Sequence, residues 1–150
     1  MTIPKPADAI ASDVDDIRAI IAAIEAAHHA RDAAAIARHY AADAIIADLA
    51  PPLRRRGLDA GAMQAWLDGW GGPVALTTRD LEIHVDGNLA LCHGLQHTGA
   101  RTHAGEQAAW WSRITLALAR TPAGWRIIHE HSSVPFHMDG SFRAAVDLEP

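Results

Sequence analysis

From Gln107 onward, apolar and polar positions alternate with a period of two, the repeat of a strand with one buried face. Trp110, Ser112, Ile114, Leu116 and Leu118 fall on one side, and Trp111, Arg113, Thr115, Ala117 and Ala119 on the other. Thr121-Pro122-Ala123-Gly124 predicts a turn, because proline presets φ and glycine accepts φ > 0. The same alternation beyond the turn groups Trp125, Ile127, His129, His131 and Ser133 against Arg126, Ile128 and Glu130. Upstream, Val74 to Val85 and Leu89 to about Thr102 read as two further strands around the hairpin signal Asp86-Gly87. His103-Ala104-Gly105-Glu106 makes the turn into the strand that starts at Gln107.

The first part of the chain has a different period. Ile17, Ile20, Ile21, Ile24 and Ala27 recur every three or four residues, and His28 continues that stripe. Ser12 and Asp15 predict a capping box, with a helix running to about Arg31 behind a loose arm over residues 1–12, where Pro4 and Pro6 block regular structure. Asp32 reads as a new N-cap for a short helix through Ile36 to Tyr40. Asp43 to Leu49 is a short apolar strand, ended by Pro51-Pro52, and Arg54-Arg55-Arg56 crosses a loop to Gly57. A third helix spans Asp59 to Trp70, with Met63, Trp66, Leu67 and Trp70 on one side, and Gly71-Gly72-Pro73 stops it. Helices followed by a meander of strands predict an α+β fold: one domain over residues 13–136, three N-terminal helices on a curved antiparallel sheet, then a tail over 137–150.

Composition narrows the classes. A formal net charge of −5 argues against a nucleic-acid surface, and the arginine triplet is too short to outweigh it. One cysteine, Cys92, excludes an internal disulfide and suits a reducing compartment. Neither a secretory apolar stretch nor a membrane-length span is present, so a cytoplasmic protein with no membrane partner is expected.

Three runs carry a resemblance: Tyr40-Ala41-Ala42-Asp43-Ala44-Ile45-Ile46-Ala47-Asp48, Arg56-Gly57 and Gly124-Trp125-Arg126-Ile127-Ile128-His129-Glu130-His131. Together with the order of elements, they resemble the nuclear-transport-factor-2-like superfamily over about residues 13–136, and within it the SnoaL-like, ketosteroid-isomerase-related subgroup. That resemblance implies a cone-shaped α+β barrel with a pocket, and proton-transfer chemistry (isomerase, cyclase or dehydratase type) without a cofactor or metal. It implies Asp48 as the position of the catalytic base. The isomerase tyrosine on the first helix aligns with Ile24, which has no donor, and the protonated aspartic acid of the long strand aligns near Arg113. Arg113 would then stabilise an enolate, with His129 as a relay, His131 and Ser133 facing the ligand, and Trp111 as a stacking wall.

Each residue has a plainer reading beside it. Asp48 caps the loop before Pro51 or pairs with one of the three arginines. Arg113 forms a buried ion pair with Glu130 or Asp48. His28 is a satisfied core histidine or a pocket donor, and His93 and His97 leave their face undecided. His84 is among the histidines expected at the surface, and Cys92 is an inert small hydrophobe. His129 and His131 could also hold a metal with Asp48, His93 or His28 as a third ligand. The functions in competition are an acid–base enzyme acting on a small apolar or aromatic carbonyl compound, and a non-catalytic ligand-binding or assembly module. In the second, a homodimer forms through the open sheet face, with Ile114, Leu116 and Leu118 supplying it.

Overall fold

The computed structural model describes residues 7–150. The expected arm therefore lies outside the described residues over 1–6, and its remainder is helical. Helix α1 runs Ala7–Ala30, starting before Ser12, so that residue does not cap it. Helix α2, Ala33–Ala37, has the expected N-cap: the Asp32 side chain accepts from the backbone N–H of Ala35 at 2.8 Å. It is shorter than the sequence suggests, because Tyr40 opens strand β1, Tyr40–Ala47. The arginine triplet is not all loop, since Arg55–Arg56 forms β2 antiparallel to β1. Helix α3, Ala60–Asp68, is capped by Asp59. Gln64 on α3 donates to the carbonyl of Arg31 at 3.1 Å and accepts from the N–H of Ala33 at 3.2 Å, which pins α3 to the corner between α1 and α2.

Four long strands follow: β3 Ala75–Asp86, β4 Leu89–Arg101, β5 Gln107–Thr121 and β6 Gly124–Ser133. The sheet order is β2-β1-β6-β5-β4-β3. The meander is antiparallel as expected, but β1 joins β6 in parallel, so the sheet is mixed. It curves around the helices without closing into a barrel.

The core lies between the helices and the inner sheet face. Ile17, Ile24 and Ile36 meet Leu67, Cys92, Ile114, Leu116, Leu118 and Ile127 there. Ile114, Leu116 and Leu118 are thus spent on the core, and the expectation that they supply a dimer face is overturned. Gly57 fixes the crossing from β2 to α3. Its φ is +75°, and an added Cβ would meet the Ala42 carbonyl oxygen at 2.7 Å. Gly57→Ala is expected to cost about 2 kcal/mol, a fall in Tm of roughly 4–8 °C, readable by thermal denaturation.

Candidate functional site

A cavity of about 400 Å³ opens between the helices and the inner sheet face. Its walls are mainly apolar: Ile21, Ile24, Leu58, Met63, Leu76 and Leu81 belong to them. Aromatic rings run along one side. His28 meets Trp66 edge-on at 6.4 Å, Trp66 meets Trp70 at 6.1 Å, and Trp70 meets Trp110 at 6.3 Å. Against this background a few polar groups converge.

Strand parity explains who faces in. On β1, Ala44 and Ile46 are buried, and Asp48, two residues further, turns to the same side and reaches the cavity. Ile46 pairs with Arg55 on β2 and with Glu130 on β6, so these two side chains flank it across three strands. Asp48 forms an ion pair with Arg55 and also accepts from the N–H of Ala50 at 3.1 Å. The expected base is therefore in the cavity, but its charge is committed to a neighbouring cation, as the plainer reading had it.

Glu130 is the group that the sequence missed. Between the pairs Ala117–His129 and Leu118–Ile127, the β5–β6 register shifts, which leaves Ile128 as an extra residue. Trp125 and Ile127 point inward, and past this bulge Glu130 and Ser132 do so in place of His129, His131 and Ser133. The phenol of Tyr40 donates a short hydrogen bond to Oε2 of Glu130. Desolvation pushes the Glu130 carboxyl above its ordinary 4.5, against the opposing pull of Tyr40, Arg55 and Ser132. The Tyr40 phenol is raised well above its usual value by burial and by Glu130, so it stays a donor.

His28 stands on the helix wall. Its Nδ1 lies 2.8 Å from the Ile24 carbonyl oxygen, an acceptor, so the proton sits on Nδ1 and Nε2 keeps its lone pair. Burial lowers its pKa below 6.5, which keeps the ring neutral. The sign of the linkage follows. Stability from the neutral ring is complete above pH 6.5 and is lost as pH falls through the lower folded value. Replacing His28 by Gln should make the acid-side decline of Tm shallower, measured by melting from pH 8 to pH 5. An equally steep decline would count against a neutral buried ring. Thr78 adds a further polar group: among the described residues its buried Oγ1 has no partner, although its N–H donates to Glu25 at 2.7 Å. Cys92 also borders the cavity, but burial pushes its thiol up to about 11, so it is no nucleophile at neutral pH.

Several expected site residues lie elsewhere. Arg113 and Trp111 occupy the outward parity of β5 and point away from the cavity; Trp110 and Ser112 take the inward positions. Trp111 packs on His97 at 4.9 Å, with the Arg79 guanidinium 5.5 Å above its ring. His129, His131 and Ser133 share that outer side, for the bulge reason just given. An Arg113–Glu130 pair cannot form across the sheet, and His129 and His131 are not brought together with Asp48 or His28. His93 is one of the residues round the cavity, yet its imidazole meets Glu82 and His84 on the outer face. Of the expected set, Asp48 and His28 have side chains placed in this site.

The SnoaL-like domain model matches residues 17–137. The chain belongs to the SnoaL-like domain family. An NTF2-like protein of Pseudomonas putida KT2440 is similar at 29% identity, with a TM-score of 0.82 over 94% of this chain and 98% of that one. An NTF2-like superfamily protein of Salmonella enterica serovar Typhimurium LT2 shares 20% identity, with a TM-score of 0.75 over 88% and 97% of the two chains. An NTF2-like protein with a cystatin-like fold from Novosphingobium aromaticivorans shares 22%, with a TM-score of 0.69 over 94% and 92%. Among curated proteins, none matches this sequence. The likenesses to solved structures show an NTF2-like α+β fold, and the last two speak to the fold alone. Among the described residues no helix is long and apolar enough to cross a membrane.

Proposed function

We propose that this SnoaL-like protein is a cofactor-independent acid–base enzyme acting on a small, mostly apolar carbonyl compound. The observation that carries this reading is that Glu130 on the sheet wall and His28 on the helix wall line one mainly apolar cavity. Burial raises the Glu130 carboxyl and lowers the His28 imidazole, so each is driven toward its uncharged form. A neutral imidazole is a base and a protonated carboxyl is an acid. Nε2 of His28 takes a proton from the carbon next to the substrate carbonyl. The carbonyl oxygen becomes an enol oxygen by accepting the proton of Glu130, whose other oxygen accepts from Tyr40. The enol oxygen then returns its proton to Glu130 while protonated His28 gives up its own: to a second carbon, which is isomerisation, or to a departing hydroxide, which leaves as water in dehydration. The donor chain Tyr40 to Glu130 to substrate polarises in one direction, which strengthens each bond. Aromatic walls at Trp66 and Trp110 suit a flat, unsaturated substrate.

The test is proton exchange in D2O, followed by NMR, over a panel of enolisable aryl ketones. Loss of the α-proton signal faster than in protein-free samples is the expected result. Binding of these ketones with no exchange for any of them would favour the second reading, a ligand-binding module. One observation supports that alternative: Asp48, at the position of the family base, is neutralised by Arg55. In either reading we place a homodimer contact on the outer face of β5 and β6, where Trp111, Thr115 and Ala117 remain partly exposed. A monomer at micromolar concentration in sedimentation would remove that contact.

A further inference from the structure

On the outer face, at the sheet edge, three side chains converge that the cavity chemistry does not use. Glu82 and His84 alternate on β3 and so share a face, and His93 on β4 is the direct cross-strand partner of Glu82. Both imidazole Nε2 atoms lie 3.8 Å from the same carboxylate oxygen of Glu82. All three ligating atoms lie within 4.8 Å of one another. The two rings are near-parallel, 6.0 Å apart with planes at 23°. Among the described residues, none of the three side chains makes a hydrogen bond, so the three ligating atoms sit close together without a protein donor between them.

We propose that Glu82, His84 and His93 form a binding site for a divalent zinc-class ion, distinct from the acid–base cavity. Two imidazoles and one carboxylate are a common donor set for zinc, with bonds of roughly 2.0–2.2 Å. Tetrahedral geometry at that bond length separates ligating atoms by roughly 3.4 Å. The two His–Glu separations are thus within about half an ångström of the coordinated value. The side chains are exposed, and small rotamer changes close the remaining gap while the strand pair holds their stems in register. Borderline nitrogen donors favour zinc, nickel or copper over magnesium or calcium, which take oxygen. Three protein ligands leave a fourth position open, on the solvent side, for water or an anion.

The experiment uses the full chain, free of any affinity tag and stripped with chelator. Titration with zinc chloride is expected to saturate at one ion per chain and to raise Tm, because only the folded strand pair presents the three ligands. Titration with cobalt(II) should give the intense visible absorption of a tetrahedral site. Replacing His84 or His93 by Ala, or Glu82 by Gln, should each weaken zinc binding by at least about tenfold. Exposed positions leave the metal-free Tm nearly unchanged, so a loss of binding in a folded variant supports the site. Unchanged zinc affinity in the chain that carries all three substitutions together, or no saturable binding by the parent chain, overturns it. Proton exchange in the cavity should continue in the Glu82 and His84 variants, which lie outside the cavity, and this separates failure here from failure of the acid–base reading.

Discussion

Replacing Glu130 by Gln should lower kcat/KM for any carbonyl compound that the cavity turns over by roughly 10²- to 10⁴-fold, the usual worth of a positioned general acid. The amide is close in shape to the carboxyl. Its oxygen still accepts from Tyr40, and its nitrogen still donates toward the cavity, so the fold and ligand affinity should survive. What is lost is a proton that can be given away. The variant should also lose any alkaline decline in rate that comes from ionisation of Glu130, while the acid decline that comes from protonation of His28 should remain. Steady-state rates across pH, with ligand binding measured in parallel, separate the two. Full activity in Glu130→Gln would remove the carboxyl from the mechanism.

The largest effect on stability is expected at Asp13, which is buried on α1 and takes no part in the cavity. It accepts from the Arg120 guanidinium and, at 3.3 Å, from the indole N–H of Trp125. That guanidinium stacks 4.5 Å above the Trp125 ring, so one carboxylate ties α1 to the hairpin of β5 and β6. Asp13→Ala leaves a buried indole donor and an unpaired cation. Complete loss of a buried pair costs about 3–5 kcal/mol. Arg120 keeps 31% of its side-chain exposure, and solvent screens part of the loss, so roughly 3 kcal/mol is expected. That is a fall in Tm of roughly 6–12 °C. Asp13→Asn, which keeps an acceptor for Trp125, should fall less. Equal stability of Asp13→Ala and the parent in chemical denaturation would contradict this account.

Most of the architecture was legible in the sequence, because period and punctuation agree along it. The caps at Asp32 and Asp59, the Asp86-Gly87 hairpin and the strands from Val74 to Ser133 all follow local rules that packing left intact. The SnoaL-like resemblance named the fold correctly. The cavity was harder to read, for one physical reason. A strand's faces are defined only while alternation holds, and one extra residue inverts everything after it. On β6 that residue is Ile128. The adjacent pair Ile127-Ile128, followed by a wholly polar run, was the available signal: two apolar neighbours cannot both keep one phase, and His-Glu-His-Ser offers no apolar marker to reset it. Counting through the bulge put His129, His131 and Ser133 inward and hid Glu130. On β5 the alternation was read correctly, but the inward face was assigned to Arg113 and Trp111, because charge near an aromatic ring suggested a pocket. Trp110 and Ser112 hold those positions. Asp48 comes from the resemblance alone, and its side chain does reach the cavity. Its pairing with Arg55 depends on β2, a two-residue strand too short to leave a periodic trace.

The account rests most directly on the protonation of Glu130, and a carboxyl-carbon NMR titration of the labelled protein measures it. Glu130→Gln assigns the resonance by its disappearance. The prediction is a midpoint above the ordinary 4.5, moving further when a neutral apolar ligand fills the cavity and removes remaining water. A midpoint at or below 4.5, unmoved by ligand, would mean that the Tyr40 and Arg55 interactions dominate. Glu130 would then be a fixed carboxylate, and the cavity would hold no general acid.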